Sequence, residues 1–188
     1  MKLKFNYKLK KLEVIILGYL LFLLLAILSP NKFFIILSLA VFDKALLSQL
    51  RFQGYFGIEL LSIPVILIAV TYGPLAAFLF GTFAIPLLDV LRWLLAPPIE
   101  PSSPPIIPSI SSVIYGSMGA LAAFMYPSFN LIAIVLTTSI LGDFLHGIGM
   151  LYMGQPPNPV SYVINIMQNY FIMQLFIAIG FVKFLGIA

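Results

Sequence analysis

Long apolar runs, broken by short clusters of Pro, Gly, Ser and Asn, set the rhythm of this chain. A helix that crosses a bilayer needs about 20 mostly apolar residues, and the pattern predicts six or seven such helices. The first covers Leu12 to Leu28 and is closed by Ser29-Pro30-Asn31. The second, Phe33 to Leu50, is weaker, because Asp43-Lys44 interrupts it and Ser48, Gln49 and Arg51 make its end polar. The third, Gly57 to Tyr72, contains Glu59 and Pro64. Gly73-Pro74 then predicts a tight turn, since Gly accepts positive φ and Pro presets the first turn of the next helix. That fourth helix runs from Leu75 to Ala96.

The stretch PPIEPSSPPIIPS, residues 97–109, holds six prolines in thirteen residues. So many missing N–H donors forbid a regular helix and predict an extended loop outside the hydrocarbon layer. A fifth helix follows over Ile110 to Tyr126, Pro127-Ser128 turns the chain, and a sixth spans Phe129 to Met150. A second polar loop, residues 154–159, precedes the last helix, Val160 to Ile187. YGPLAAFLFGTF (Tyr72 to Phe83) echoes MGALAAFMYPSF (Met118 to Phe129), and each copy belongs to a helix–turn–helix hairpin whose second helix carries an aspartate, Asp89 or Asp143. Such an echo suits a protein built from repeats, although small residues are common in membrane helices.

Composition sharpens the picture to an all-α, polytopic transmembrane helical bundle. The 188 residues are 62% hydrophobic and 9% charged, against about 25% charged in a soluble domain. This predicts a multi-pass protein of the cell membrane, with the lipid bilayer as its first partner. Residues 1–11 form a basic cytoplasmic N-terminus, and 12–188 form a single membrane domain. Five of the ten basic residues lie in that N-terminal stretch, ahead of an apolar run, so the net charge of +4 signals a positive-inside anchor and not nucleic-acid binding. No small-x-small cleavage site follows, so the stretch is expected to be retained. The absence of cysteine removes disulfides and thiol chemistry, and one histidine with six carboxylates predicts neither metal nor cofactor.

Charge also bears on topology. If seven helices cross and the N-terminus is inside, Arg51 and Arg92 lie inside and Lys32 and Lys183 outside, which suits the positive-inside rule. If Phe33–Leu50 does not cross, six helices span and both termini are inside. The weakness of the second segment favours that arrangement.

Candidate chemistry is sparse. Asp89 and Arg92 are spaced to pair on one helix face beside Trp93, while adjacent Asp43 and Lys44 each need their own partner. Asp143 and His146, at i and i+3, form either a helix-end pair or a ligand or proton site. No Gly-x-Ser-x-Gly or His-Glu-x-x-His is present, so no enzymatic activity is expected. Glu59, after the aromatic-rich RFQGYFG, is either an interfacial carboxylate or, with Arg51, Gln53, Tyr55 and Phe56, the cap of a cavity. In SYVINIMQNY, Ser161, Asn165, Gln168 or Asn169, and Ile172 share a helix face. Amides facing lipid are costly, so this face meets a neighbouring helix or lines a cavity for a polar small molecule.

GIELLSIPVILIAVTYGPLAAFLFGTFAIPLLDVL, Gly57 to Leu91, resembles the second and third helices of the substrate-binding S components of energy-coupling factor (ECF) transporters. The shared features are Pro64, Gly73-Pro74, Ala76-Ala77, Gly81 and Asp89. The resemblance implies a subunit without chemistry of its own, which captures a vitamin-like micronutrient and docks on a transmembrane coupling subunit driven by ATPase subunits. On that plan Asn165, Gln168, Asn169, Asp143, His146, Glu59 and Arg51 are candidate ligand contacts, and Gly73-Pro74 faces the cytoplasm. The helical plan is also similar to that of MreD-type rod-shape membrane proteins, which implies a scaffold in a cell-envelope complex. A small accessory subunit of a larger membrane complex is a third expectation.

Overall fold

The computed structural model describes residues 2–29, 31–45, 47, 59–95 and 108–187, and, of these, the side chains of all but 2–12, 92, 94 and 95. Every regular element among them is helical: α1 (Lys2–Leu28), α2 (Lys32–Ala45), α3 (Ser62–Tyr72), α4 (Pro74–Leu79), α5 (Ile85–Leu95), α6 (Ile110–Met125), α7 (Leu131–Tyr152), α8 (Pro159–Ala178) and the short α9 (Phe181–Phe184). Three stretches are long and apolar enough to cross a membrane, Pro74–Leu91, Leu131–Tyr152 and Pro159–Ala178. Glu13–Leu28, Ser62–Tyr72 and Ile110–Met125 are apolar but shorter.

Local chemistry sets the helix boundaries. Ser109 and Ser112 form a reciprocal capping box at the start of α6, and Asn130 and Asn158 accept from Ala133 N and Ser161 N to cap α7 and α8. These side chains satisfy N–H groups that the first turn leaves without partners. Gly73 sits at φ 90°, where a β-carbon would be strained, and releases the chain from α3 into Pro74 at the start of α4. Pro64 is tolerated because it lies in the first turn of α3, where its missing N–H costs no helical bond.

The other helix-interior proline, Pro86, has a different solution. Phe80–Ala84 winds as a π-helix between α4 and α5. The wider turn makes room for the Pro86 ring, which would otherwise press on the carbonyl four residues back. The expected uninterrupted helix over Leu75 to Ala96 is therefore two α-helical pieces joined by this wide turn. The last helix also ends earlier than expected: Gly180, in the left-handed region at φ 76°, stops α8 at Ala178. Lys32 Nζ then donates to Leu185 O at 2.7 Å and ties the C-terminal turn to the start of α2.

α3 is the axis of the bundle. Ile63 to Ala69 are all buried, as befits a helix apolar on every side, with α2, α4, α6, α7 and α8 packed around it. The weak second segment does form a helix, and it lies antiparallel beside α3. Asp43, near one end of α2, accepts from Leu60 N at 2.8 Å, and Phe33, at the other end, meets the Tyr72 ring edge-on. Lys44 pairs with Asp89 of α5 at 2.9 Å. Asp89 thus reaches across to α2; the expected pairing with Arg92 falls on a side chain that lies outside the described set.

Candidate functional site

A polar cleft of about 360 Å³, counting its open mouth, lies between α3, α6, α7 and α8. Its walls combine apolar Val65, Ile66, Ile114 and Met118 with Ser62, Tyr115, Thr138, Ser139, Asp143, His146 and Asn165. Its free space is water-sized. Glycines shape the wall: Gly119 and Gly142 line the cleft, and a β-carbon on Gly119 would run into Val65 and Ala77.

Two hydrogen-bonded chains converge here. On α7 and α8, Asn165 Nδ2 donates to both oxygens of Asp143, at 3.0 and 3.2 Å. Asn169 Nδ2 donates to Ser139 Oγ at 3.1 Å and to Asn165 Oδ1 at 3.3 Å. Ser139 and Asp143 are one helical turn apart on α7, as are Asn165 and Asn169 on α8, so the two faces meet along their length. Opposite them, the Tyr115 hydroxyl of α6 donates to Glu59 Oε2. The Tyr115 ring holds His146 edge-on at 5.4 Å.

Asp143 and His146 therefore do not form the pair that their spacing allows: Asp143 faces Asn165, and the imidazole leans on Tyr115. His146 Nε2 and Asn169 Oδ1 are buried and have no hydrogen-bond partner. Gln168 Oε1 is likewise buried and unpartnered, but neither Gln168 nor Asn169 is among the residues that line the cleft. Glu59 joins the site through Tyr115. Arg51, Gln53, Tyr55 and Phe56 lie outside the described residues, as do residues 97–107 of the proline-rich loop.

Sequence reasoning missed Tyr115, Thr138 and Ser139. Ser139 could have been found by stepping one turn back from Asp143. Tyr115 carried a weaker signal, since it belongs to the small-residue face Ser112, Gly116, Gly119. Thr138 spends its hydroxyl proton within α7, on Ile134 O at 2.7 Å.

The site is thus defined as a polar cleft inside an apolar helical bundle. Its lining brings a carboxylate, an imidazole, a phenol, an amide and three hydroxyls (Ser62, Thr138, Ser139) to one cleft, groups that can hold a small polar molecule through hydrogen bonds and charge. Among the described residues no three His, Cys, Asp or Glu side chains gather to hold a metal ion. Comparison with protein-family models, curated proteins and solved structures finds no match to this chain.

Proposed function

We propose that this chain is the membrane-embedded substrate-binding subunit of a micronutrient importer, taking up a small, vitamin-like molecule in the cleft and handing it to a coupling subunit powered by ATPase subunits. One observation carries the reading: His146 Nε2 is buried on the cleft wall with no partner. Folding leaves this nitrogen unpaired at a cost, and a ligand would complete it. Few groups inside a membrane protein are ionisable without a role in substrate or ion handling. The free space in the cleft is only water-sized, well below the roughly 300 Å³ at which ligand sites start, so a bound vitamin-like molecule requires the surrounding helices or side chains to open.

Importing sets the orientation. The cleft lies toward the end of the bundle that holds Ser62, the start of α6 and the start of α8, and Gly73-Pro74 lies at the other end of α3. Capture from outside requires the cleft end to face outward and Gly73-Pro74 to face the cytoplasm. We take α2 to α8 as a core of six crossing segments, with α1 as an added helix packed on α2 through Tyr19 and Phe42.

His146→Phe tests the reading. It keeps an aromatic ring against Tyr115 and removes only the nitrogens. The variant should purify monodisperse and melt at or above the wild-type temperature, yet lose the small molecule retained by the wild type. Retention unchanged by this substitution contradicts the proposal.

A second reading rests on a separate observation. Asn165 and Asn169 spend their N–H groups on side chains of α7, the behaviour of amides that bind helices together. A scaffold or accessory subunit of a cell-envelope or other membrane complex would use them in this way. It would hold no small molecule in the wild type or in His146→Phe.

A further inference from the structure

We propose that the α7–α8 hairpin is a jaw: it swings as one body about the Gly73 end of the bundle and opens the cleft from the end that holds the loop 153–158. The need for such a motion rests on the reading of the cleft as a ligand site, because its free space is water-sized and a vitamin-like guest enters only if the walls part. Hydrogen bonding and close packing decide which walls can part.

The helices around the cleft fall into two pairs. α7 and α8 are zipped together by Asn165 on Asp143 and Asn169 on Ser139, and the Tyr162 ring of α8 packs over Gly147 of α7. α6 belongs with α3 and α4. A β-carbon on Gly119 would lie 2.5 Å from Val65 Cγ1 and 3.0 Å from the β-carbon of Ala77. At so close a fit α6 cannot shift without prising those helices apart. The Tyr115 hydroxyl adds its bond to Glu59, just ahead of α3.

The seam between the pairs is built differently. Among the described residues, no hydrogen bond joins α3 or α6 to α7 or α8. What crosses is the edge of the Tyr115 ring on His146 and apolar packing at ordinary distance. A β-carbon on Gly142 would sit 3.4 Å from Met118, and one on Gly149 would sit 3.5 Å from Ile110. Such contacts have no direction, and in a bilayer acyl chains replace them at little cost. The firmer ties across the seam lie at one end. There the turn 126–130 joins α6 to α7, and Lys32 Nζ clasps Leu185 O close to where Phe33 meets Tyr72. At the other end the loop 153–158 joins α7 only to α8. That is the layout of a hinge.

Double electron–electron resonance on the detergent-purified full chain tests the motion. The chain contains no cysteine, so nitroxide pairs can be placed on exposed positions outside the cleft. Ile110→Cys with Val160→Cys, across the mouth, should give two distances separated by at least about 3.5 Å, the thickness of one flat molecule in van der Waals contact. Tyr152→Cys with Ile179→Cys, at the two ends of the hairpin, should give one distance. Leu75→Cys with Phe129→Cys, across the hinge end, should also give one. A single distance at the mouth would overturn the proposal, and so would a hairpin pair that widens together with the mouth. No bound molecule is needed, so the two readings fail separately. A mouth that opens in a protein retaining no small molecule contradicts the importer, whereas a mouth that stays shut around a retained one contradicts the jaw.

Discussion

Replacing Asn165 by Leu removes the donor that both oxygens of Asp143 share and leaves a carboxylate buried without a partner. That loss should cost about 1–3 kcal/mol and lower the melting temperature by several degrees. Tyr115→Phe, which strips the hydroxyl from Glu59, should act in the same direction and by a similar amount. His146→Phe should keep or raise the melting temperature, because Nε2 is buried without a hydrogen bond and its removal lifts that cost. A calorimetric or fluorescence melt of the three variants checks the set, and an Asn165→Leu protein that melts like the wild type would refute the role given to that amide. The polar face of α8 was legible in the sequence, since lipid tolerates no row of amides. What those amides touch was not legible, because the partner could equally have been a ligand, a neighbouring helix or both. Tyr115 and Ser139 were hidden for a related reason: hydroxyls in apolar helices often serve their own backbone, as Thr138 does.

Elements in this bundle approach closely where glycines permit it. A β-carbon on Gly116 would meet the Thr82 hydroxyl, and would lie 2.7 Å from the backbone oxygen of Phe78. Gly116→Ala should therefore force α6 away from the wide π-turn and cost about 1–3 kcal/mol, the usual scale for overpacking. Gly18→Ala, in α1, meets nothing within 4 Å and should leave the melting temperature unchanged. Equal melting of the two variants would contradict the packing described here. Apolar runs and their Gly, Pro and Asn breaks located nearly all of the helices, because those residues act on the backbone directly. The π-turn before Pro86 was not visible, since a proline inside a helix can kink it, end it or widen it. Nor was the Lys44–Asp89 pair, which joins helices far apart in sequence; local spacing points only to partners on the same helix.

For the molecule as a whole, two physical arguments oppose each other over orientation. The positive-inside rule puts the lysines of residues 2–11 in the cytoplasm, and with α1 crossing antiparallel to α2 the cleft end would face inward too. An importer needs it outward. The chain contains no cysteine, so single cysteines report orientation cleanly. On the importer account, a membrane-impermeant thiol reagent applied to intact cells should label Gln155→Cys, in the loop between α7 and α8. It should label Ser128→Cys, at the opposite end of α7, only after permeabilisation. The reverse pattern would rule out capture from outside. Charge and hydrophobicity made the membrane class legible in the sequence, but they could not settle this point, because six and seven crossings differ by one marginal helix. The central claim, that the polar cleft holds a small molecule, is tested most directly by native mass spectrometry of the detergent-purified chain, with its bound molecules extracted and identified. The account predicts a stoichiometric, vitamin-sized adduct that is lost in His146→Phe. Lipid alone on a well-folded wild-type protein, with candidate micronutrients added back, would contradict it.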